Sequence, residues 1–375
     1  EGNDFLKKEK QRLLIDLLVL HKDKAFGFQQ YILNILDYFY LHREEIKYKD
    51  IVLLCKDDEL NLLSKYADKF EVRCFHVTNY IYRLLLQSLL PFVCKFSNED
   101  LLFTPGNVSG LIKKCPEILV VHDLLFKHKE WIPNRLMRWQ RELFFPLSIK
   151  KADKVVAISN FTSNDIADHY PFAKEKVGVI YNYMNFGKYD CCETSLFVPN
   201  SFFLAISTNA PYKNQQTILN AFKIYCNAGG KKKLVFVGTF SSESEAGRVF
   251  NILPNNVREK IIFKTRISNS ELGMLYQNAS CFISASLFEG FGMPVVEAMS
   301  FGLPVLLSDI PPHREVSLNK GEFFEPTDVG GLAEKMLCLC FDKKGYDKDI
   351  RDMYSEANTS AKYVELINQM YSNNH

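Results

Sequence analysis

The chain has 375 residues, with 46 basic and 44 acidic side chains and a formal net charge of +2, so no global field favours nucleic acid. Hydrophobic residues make up 47% and charged residues 24%, the balance of a globular chain of about two domains, which excludes a disordered or fibrous one. The most apolar stretch, residues 79–96, is broken by Arg83, Gln87 and Lys95, so no membrane-crossing helix is expected, and the charged residues before the first apolar run do not read as a secretory signal.

Short apolar runs alternate with longer amphipathic stretches. Residues 13–15 read as a strand. Residues 31–40 carry apolar side chains at 31, 32, 35, 36 and 39, a helical period. Strand-like runs follow at 51–54, 101–103, 118–121 and 155–158. After a polar segment at 187–200, read as the linker, the pattern repeats. Strands are expected at 202–206, 234–237, 261–263, 281–284 and 305–307. Helices are expected at 214–226, with Ile218, Leu219, Phe222 and Tyr225 on one face, and at 355–371. This β–loop–α alternation predicts an α/β fold with two Rossmann-like parallel-sheet domains. The expected division is 1–190, 191–350 and a C-terminal helix, 351–375, that returns to pack on the N-terminal domain. A ligand cleft is expected at the C-terminal ends of the strands, between the domains.

The ten cysteines include no C-x-x-C pair, so neither a zinc site nor a dithiol centre is expected. Buried, reduced thiols in a cytoplasmic protein are the simplest reading.

The chemistry concentrates in Glu289-Gly-Phe291-Gly292-Met293-Pro294-Val-Val-Glu297. Glycines there let backbone approach a ligand, and Pro294 suits a first helical turn whose free N–H groups attract an anion. Glu289 and Glu297 flank that turn. A carboxylate accepts two hydrogen bonds at once, which suits vicinal sugar hydroxyls. The combination reads as ribose, diphosphate and sugar along one helix start; a structural helix cap with solvated glutamates is the alternative. No strand is followed by G-x-G-x-x-G, which argues against a dehydrogenase.

With these residues in place, the sequence resembles the retaining, nucleotide-sugar-dependent glycosyltransferases of family 4, which have the GT-B fold. Nearly the whole chain is covered. The resemblance implies that Glu297 holds the nucleotide ribose, that Glu289 contacts donor-sugar hydroxyls, and that backbone amides of Phe291, Gly292 and Met293 meet the sugar and diphosphate. Ser207-Thr208-Asn-Ala-Pro-Tyr-Lys213-Asn214 resembles the family's diphosphate-binding turn. Lys213 matches its lysine, while Thr208 stands where the family has an arginine; Arg266 is the candidate to share that load. His122, after the run 118–121, matches a histidine that touches the donor sugar. Asp123 either caps the following turn or fixes the His122 ring. Gly27 is what remains of the family's glycine-rich loop after the first strand.

The resemblance implies a hexosyltransferase in cell-surface polysaccharide synthesis, closest in look to bacterial enzymes using GDP-mannose. A UDP-sugar donor and a non-catalytic sugar-nucleotide-binding protein are the alternatives. No cofactor or metal is expected. Asp347-Lys-Asp349 is formally a D-x-D motif, but it lies among lysines and reads as a solvated charged loop. Residues 127–154 hold eight basic and three acidic residues and both tryptophans, Trp131 and Trp139. Together with 79–96, they suit either an anionic membrane surface or a core-facing helix with a solvated basic side. On the first of these the acceptor is a lipid-linked glycan and the protein sits at the inner face of the membrane; otherwise the acceptor is a glycan.

Overall fold

The computed structural model describes residues 11–20, 27–128, 130–132, 134–189, 198–338 and 345–374. The chain forms two compact units, Glu1–Tyr183 with Glu356–His375, and Met184–Ser355. The first holds seven strands: β1 (Arg12–Asp16), β2 (Asp50–Lys56), β3 (Glu71–Phe75), β4 (Leu101–Thr104), β5 (Glu117–Val121), β6 (Lys154–Ala157) and β7 (Val177–Val179). Their order is β3-β2-β1-β4-β5-β6-β7, and every pairing is parallel. The second unit holds β8 (Phe202–Ser207), β9 (Lys233–Gly238), β10 (Ile261–Lys264), β11 (Cys281–Ser284), β12 (Val305–Ser308) and β13 (Glu322–Phe324), ordered β10-β9-β8-β11-β12-β13 and again wholly parallel. Both are doubly wound Rossmann sheets. In each, the order reverses at one pair of central strands, β1/β4 and β8/β11, which opens a crevice beyond their carboxyl ends.

The central strands are apolar along most of their length because helices cover both faces of a parallel sheet. β1 and β5 are buried at every residue. The helix Gln215–Asn227 buries Ile218, Leu219, Phe222 and Tyr225 against Phe203 and Phe236, the face its periodicity predicts. An ion pair lies deep inside the first unit. Arg12 opens β1, and its Nη2 lies 2.6 Å from Oδ2 of Asp100, the residue just before β4. Its guanidinium also donates to the carbonyls of Cys94 and Lys95.

The C-terminal helix Ser360–Asn374 belongs to the first unit, where the Tyr363 and Tyr31 hydroxyls are 2.5 Å apart and Asn368 donates to the Glu45 carbonyl. The second unit starts before the stretch read as the linker. Tyr189 is buried there against Tyr276 and Phe301. Among the described residues no helix is long and apolar enough to cross a membrane. Of the described cysteines, Cys55, Cys94, Cys115 and Cys281 are buried, but Cys338 is exposed, against the expectation of burial. Cys191, Cys192 and Cys340 lie outside the described residues.

Candidate active site

The two loops that leave β8 and β11 carry the residues singled out by sequence. After β8 the chain makes a tight turn at Pro211–Lys213, and Asn214 takes a left-handed conformation, φ 52°, which asparagine tolerates better than most residues. Asn214 Nδ2 donates to the carbonyls of Ala285 (3.0 Å) and Pro326 (2.8 Å), while the Leu287 N–H donates to the Tyr212 carbonyl at 2.7 Å. These bonds tie the β8 loop to the β11 loop. They also aim Lys213 at Glu289, Nζ to Oε1 2.6 Å.

Ser286 Oγ donates to the same Glu289 oxygen at 2.8 Å. Burial alone would raise the Glu289 pKa, but the charge on Lys213, His313 and the hydrogen bonds from Lys213 and Ser286 outweigh it, leaving it below the ordinary glutamate value. Glu289 is therefore a carboxylate at neutral pH. Gly292 closes the turn with φ 108° as the cap of the helix Met293–Ser300, and Pro294 sits in that first turn. A side chain at Gly292 would meet only ordinary contacts, so the conformation and not the space selects glycine. Phe291 turns its ring inward onto Tyr354, 5.5 Å between centroids.

Glu297 lies one turn into that helix and is buried. Its Oε2 accepts from the Tyr276 hydroxyl at 2.7 Å, Tyr189 is also hydrogen-bonded to it, and Lys188 Nζ stands 3.6 Å from Oε1. Burial first, and then the Glu297 charge, push both phenol pKa values up, so these hydroxyls stay protonated and donate. Sequence reasoning missed Lys188, Tyr189 and Tyr276. It also missed His313, fully buried beside the β11 loop, with Nδ1 2.9 Å from the Ser308 carbonyl and Nε2 3.3 Å from Ser284 Oγ. Burial lowers the His313 pKa. The signal available was its position in Pro-Pro-His-Arg, five residues after the Ser308 that ends β12.

Thr208 follows β8 directly, half-buried. Arg266 stands exposed beyond β10, at the edge of the sheet and separated from β8 by β9, and forms no ion pair among the described residues.

In the first unit, His122 follows β5 with its ring buried against Phe28 (4.6 Å) and Tyr31 (4.8 Å). Nε2 lies 2.7 Å from the Pro105 carbonyl. A carbonyl only accepts, so Nε2 carries the proton and Nδ1 is left as an acceptor. Burial lowers the His122 pKa to about 4, which keeps the ring neutral at physiological pH. Asp123 caps the next turn, accepting from the Leu125 N–H at 3.0 Å, while Pro105 holds the ring. Gly27 is the exposed first residue of the helix Gly27–Leu41; Ala25 and Phe26 of its loop lie outside the described residues.

The D-x-D residues open a helix, Asp347–Met353, rather than lying in a loop, and Asp349 pairs with Lys320. Among the described residues no three His, Cys, Asp or Glu side chains gather as a metal site would.

Residues 70–186 match the family model described as Glycosyltransferase Family 4, and residues 195–359 match Glycosyl transferases group 1. The chain belongs to the family 4 glycosyltransferases. This glycosyltransferase is 27% identical over 270 residues to the O-antigen chain mannosyltransferase RfbU of Salmonella typhimurium, covering 72% of this chain and 71% of the relative. It is 24% identical over 231 residues to O-antigen chain mannosyltransferase B of Escherichia coli, covering 59% of this chain and 60% of that one. Among solved structures, Anabaena HepE in complex with UDP and glucose aligns with TM-score 0.70 over 97% of this chain and 100% of HepE at 16% identity, a likeness that shows the GT-B fold.

Proposed function

We propose that this glycosyltransferase moves a mannosyl group from GDP-mannose to a glycan or lipid-linked acceptor, with retention at the anomeric carbon, on the cytoplasmic side of a membrane. The observation that carries the reading is the Lys213–Glu289 pair, held 2.6 Å apart across the switch point of the second sheet, beside a left-handed glycine that opens a helix. A diphosphate seated on that helix start would draw the Lys213 ammonium toward it. Glu289 would then be free to accept from sugar hydroxyls. As the anomeric C–O bond breaks, its electron pair leaves with the nucleoside diphosphate and Lys213 offsets the growing charge. The acceptor hydroxyl attacks from the same face, and its proton passes to the departing phosphate oxygen. Neutral His122 would accept from a sugar hydroxyl through Nδ1. Thr208 leaves Lys213 without the family's arginine; in this reading the backbone amides of Phe291, Gly292 and Met293 supply the remaining charge stabilisation, with Arg266 as the second cation to test.

The names of the two mannosyltransferase relatives support mannose. The test is a thermal-shift panel of GDP-mannose, GDP, UDP-glucose and UDP, followed by transfer assays in chelator. Ligand at a hundred times its Kd adds about 2.7 kcal/mol of stability. A shift with the GDP compounds alone and turnover in EDTA are expected. A shift with UDP compounds alone makes this a UDP-sugar transferase, and activity that is lost in EDTA and restored by manganese refutes metal-free departure.

A further inference from the structure

Two helices of the first unit are apolar on their outer as well as their inner faces. In Tyr80–Val93 the residues facing the core are Leu84, Gln87 and Leu90, while Ile81, Leu85, Leu89 and Phe92 face solvent at intervals of four, four and three. In Arg135–Lys151 the core face is Phe145, Ser148 and Ile149, and the outward stripe is Leu136, Trp139, Leu143 and Leu147. A helix at a protein–water boundary ordinarily keeps the outer face polar. Leu85 is 58% exposed and Trp139 60%, so these side chains do not fold back onto the unit.

The two stripes are parts of one surface. Leu84 and Phe145 share a single apolar cluster beneath them. The loop between β4 and β5 is stapled to both helices: Ser109 N–H donates to Ser148 Oγ at 3.1 Å, and Leu111 N–H donates to Ser88 Oγ at 3.0 Å. Gly110 is forced there, because a Cβ would come 2.2 Å from the Gln87 carbonyl oxygen. The loop then shows four consecutive exposed residues, Leu111, Ile112, Lys113 and Lys114. Lys114 Nζ lies 5.1 Å over the Phe92 ring. Exposed Lys95, Arg135 and Lys150 add positive charge around the apolar area.

We propose that these two helices and the 111–114 loop form a docking surface for an anionic lipid bilayer. Apolar stripes with an aromatic at the boundary and a cationic rim match the acyl–headgroup interface of an acidic membrane, apolar contact below and phosphate above. The helices lie on the bilayer rather than cross it. The charge selects this occupant over a second copy of the chain, whose identical rim would set lysine against lysine. The surface stands independently of the donor reading, since neither Lys213 nor Glu289 takes part.

The test uses the full chain and vesicles of phosphatidylcholine with and without phosphatidylglycerol. The protein has two tryptophans, and Trp131 is stacked on His128, so a Trp131→Phe background leaves Trp139 as the sole reporter. Its emission should shift to the blue with the anionic vesicles, less so in high salt, and brominated acyl chains should quench it. A lysine near an anionic surface is worth about fivefold in partitioning, so Lys95→Ala with Lys114→Ala, neither of them in an ion pair among the described residues, should weaken binding about 25-fold, while Lys113, paired with Asp153 at 2.7 Å, should matter less. Leu85→Glu with Leu143→Glu should abolish it, with thermal unfolding checking that the fold survives. Equal binding to both vesicle types, or no binding by the wild type, overturns the proposal. So does a wild-type dimer in light scattering that the Leu85→Glu and Leu143→Glu changes dissolve without any vesicle binding. The assay contains neither donor nor acceptor, so its failure and that of the transferase reading are separable.

Discussion

Both sheets carry a charge pair across their switch-point strands, but at opposite ends. In the first unit Arg12 and Asp100 sit at the amino ends of β1 and β4, 2% and 0% exposed. In the second, Lys213 and Glu289 sit beyond the carboxyl ends of β8 and β11, 19% and 14% exposed. The parallel strands and the order reversal are the same, so the difference lies in what each end of such a sheet can do. At the amino end the crevice is closed and a pair can only hold strands in place. At the carboxyl end the loops diverge, and a pair that stays partly open can exchange its partner for a ligand. The first pair should therefore fail as stability and the second as turnover.

The largest effect is expected from Asp100→Ala. It leaves a guanidinium buried with only carbonyl partners, and breaking one side of a buried pair costs about 3–5 kcal/mol. Urea unfolding should show that loss while nucleotide binding by the remaining folded protein is unchanged. A loss below about 1 kcal/mol would remove the distinction between the two pairs. Lys213→Ala should do the converse. We expect kcat to fall by roughly 10²–10³, as for removal of one preorganised charge-stabilising donor, with weaker nucleoside diphosphate binding and little change in unfolding. Undiminished turnover in Lys213→Ala would place the leaving-group charge elsewhere, with Arg266 the next residue to replace.

The site was legible where chemistry and backbone geometry coincide in a short stretch. Glycine, proline and two glutamates within residues 289–297 announced a glycine-bearing turn opening a helix, and the helix Met293–Ser300 is there. What holds those residues was not legible, because it comes from elsewhere in the chain. Asn214 acts 71 residues from Ala285, and Tyr276 acts 21 residues from Glu297, both through side chains that read as ordinary polar or core positions. The fold shows the same division. The central strands were visible as apolar runs because both of their faces are covered. The strands missed, β3, β7 and β13, are all edge strands, as short as three residues in β7 and β13 and with few fully buried positions. The outward apolar stripes of Tyr80–Val93 and Arg135–Lys151 have helical periodicity either way round; sequence gives the stripe and only packing says which side faces in.

A third prediction sharpens the contrast in the first unit, where the carboxyl end holds a packed neutral histidine instead of an ion pair. The His122 pKa is lowered to about 4 in the fold, while an unfolded chain has the ordinary value of about 6.5. Between those values the unfolded state binds more protons, so stability falls as the pH falls through that window. The contribution should be about 2 kcal/mol on going from pH 7 to about pH 5. His122→Gln should remove this part of the pH dependence, while the buried His313 contributes equally to both proteins and cancels. Parallel pH curves for the two proteins would show that the ring is not held neutral by the fold. On the functional side, His122→Gln should lower turnover and leave GDP affinity nearly unchanged, in contrast to Lys213→Ala.

The smallest effect tests whether Glu297 is a ligand residue or only a buried acceptor. It is the one glutamate of the motif with two tyrosine partners, and the Tyr276 bond at 2.7 Å is internal to the unit whether or not a nucleotide is present. Tyr276→Phe removes that donor and keeps the ring that stacks on Phe301, 5.4 Å between centroids. A typical hydrogen bond contributes about 0.5–1.5 kcal/mol, so stability should fall by about that amount. If Glu297 also receives the ribose hydroxyls, losing Tyr276 loosens the carboxylate without removing it, and nucleotide affinity should drop by no more than about tenfold. Glu297→Gln should weaken nucleotide binding further, by about 1–3 kcal/mol, because an amide accepts less well than a carboxylate from two hydroxyls. Calorimetry with GDP separates the roles. An affinity that falls in both variants, and further in Glu297→Gln, is the mark of a ribose contact held in place by Tyr276. Unchanged GDP binding in Glu297→Gln, with the stability loss still present in Tyr276→Phe, would make the pair a piece of scaffold and move the ribose away from this helix.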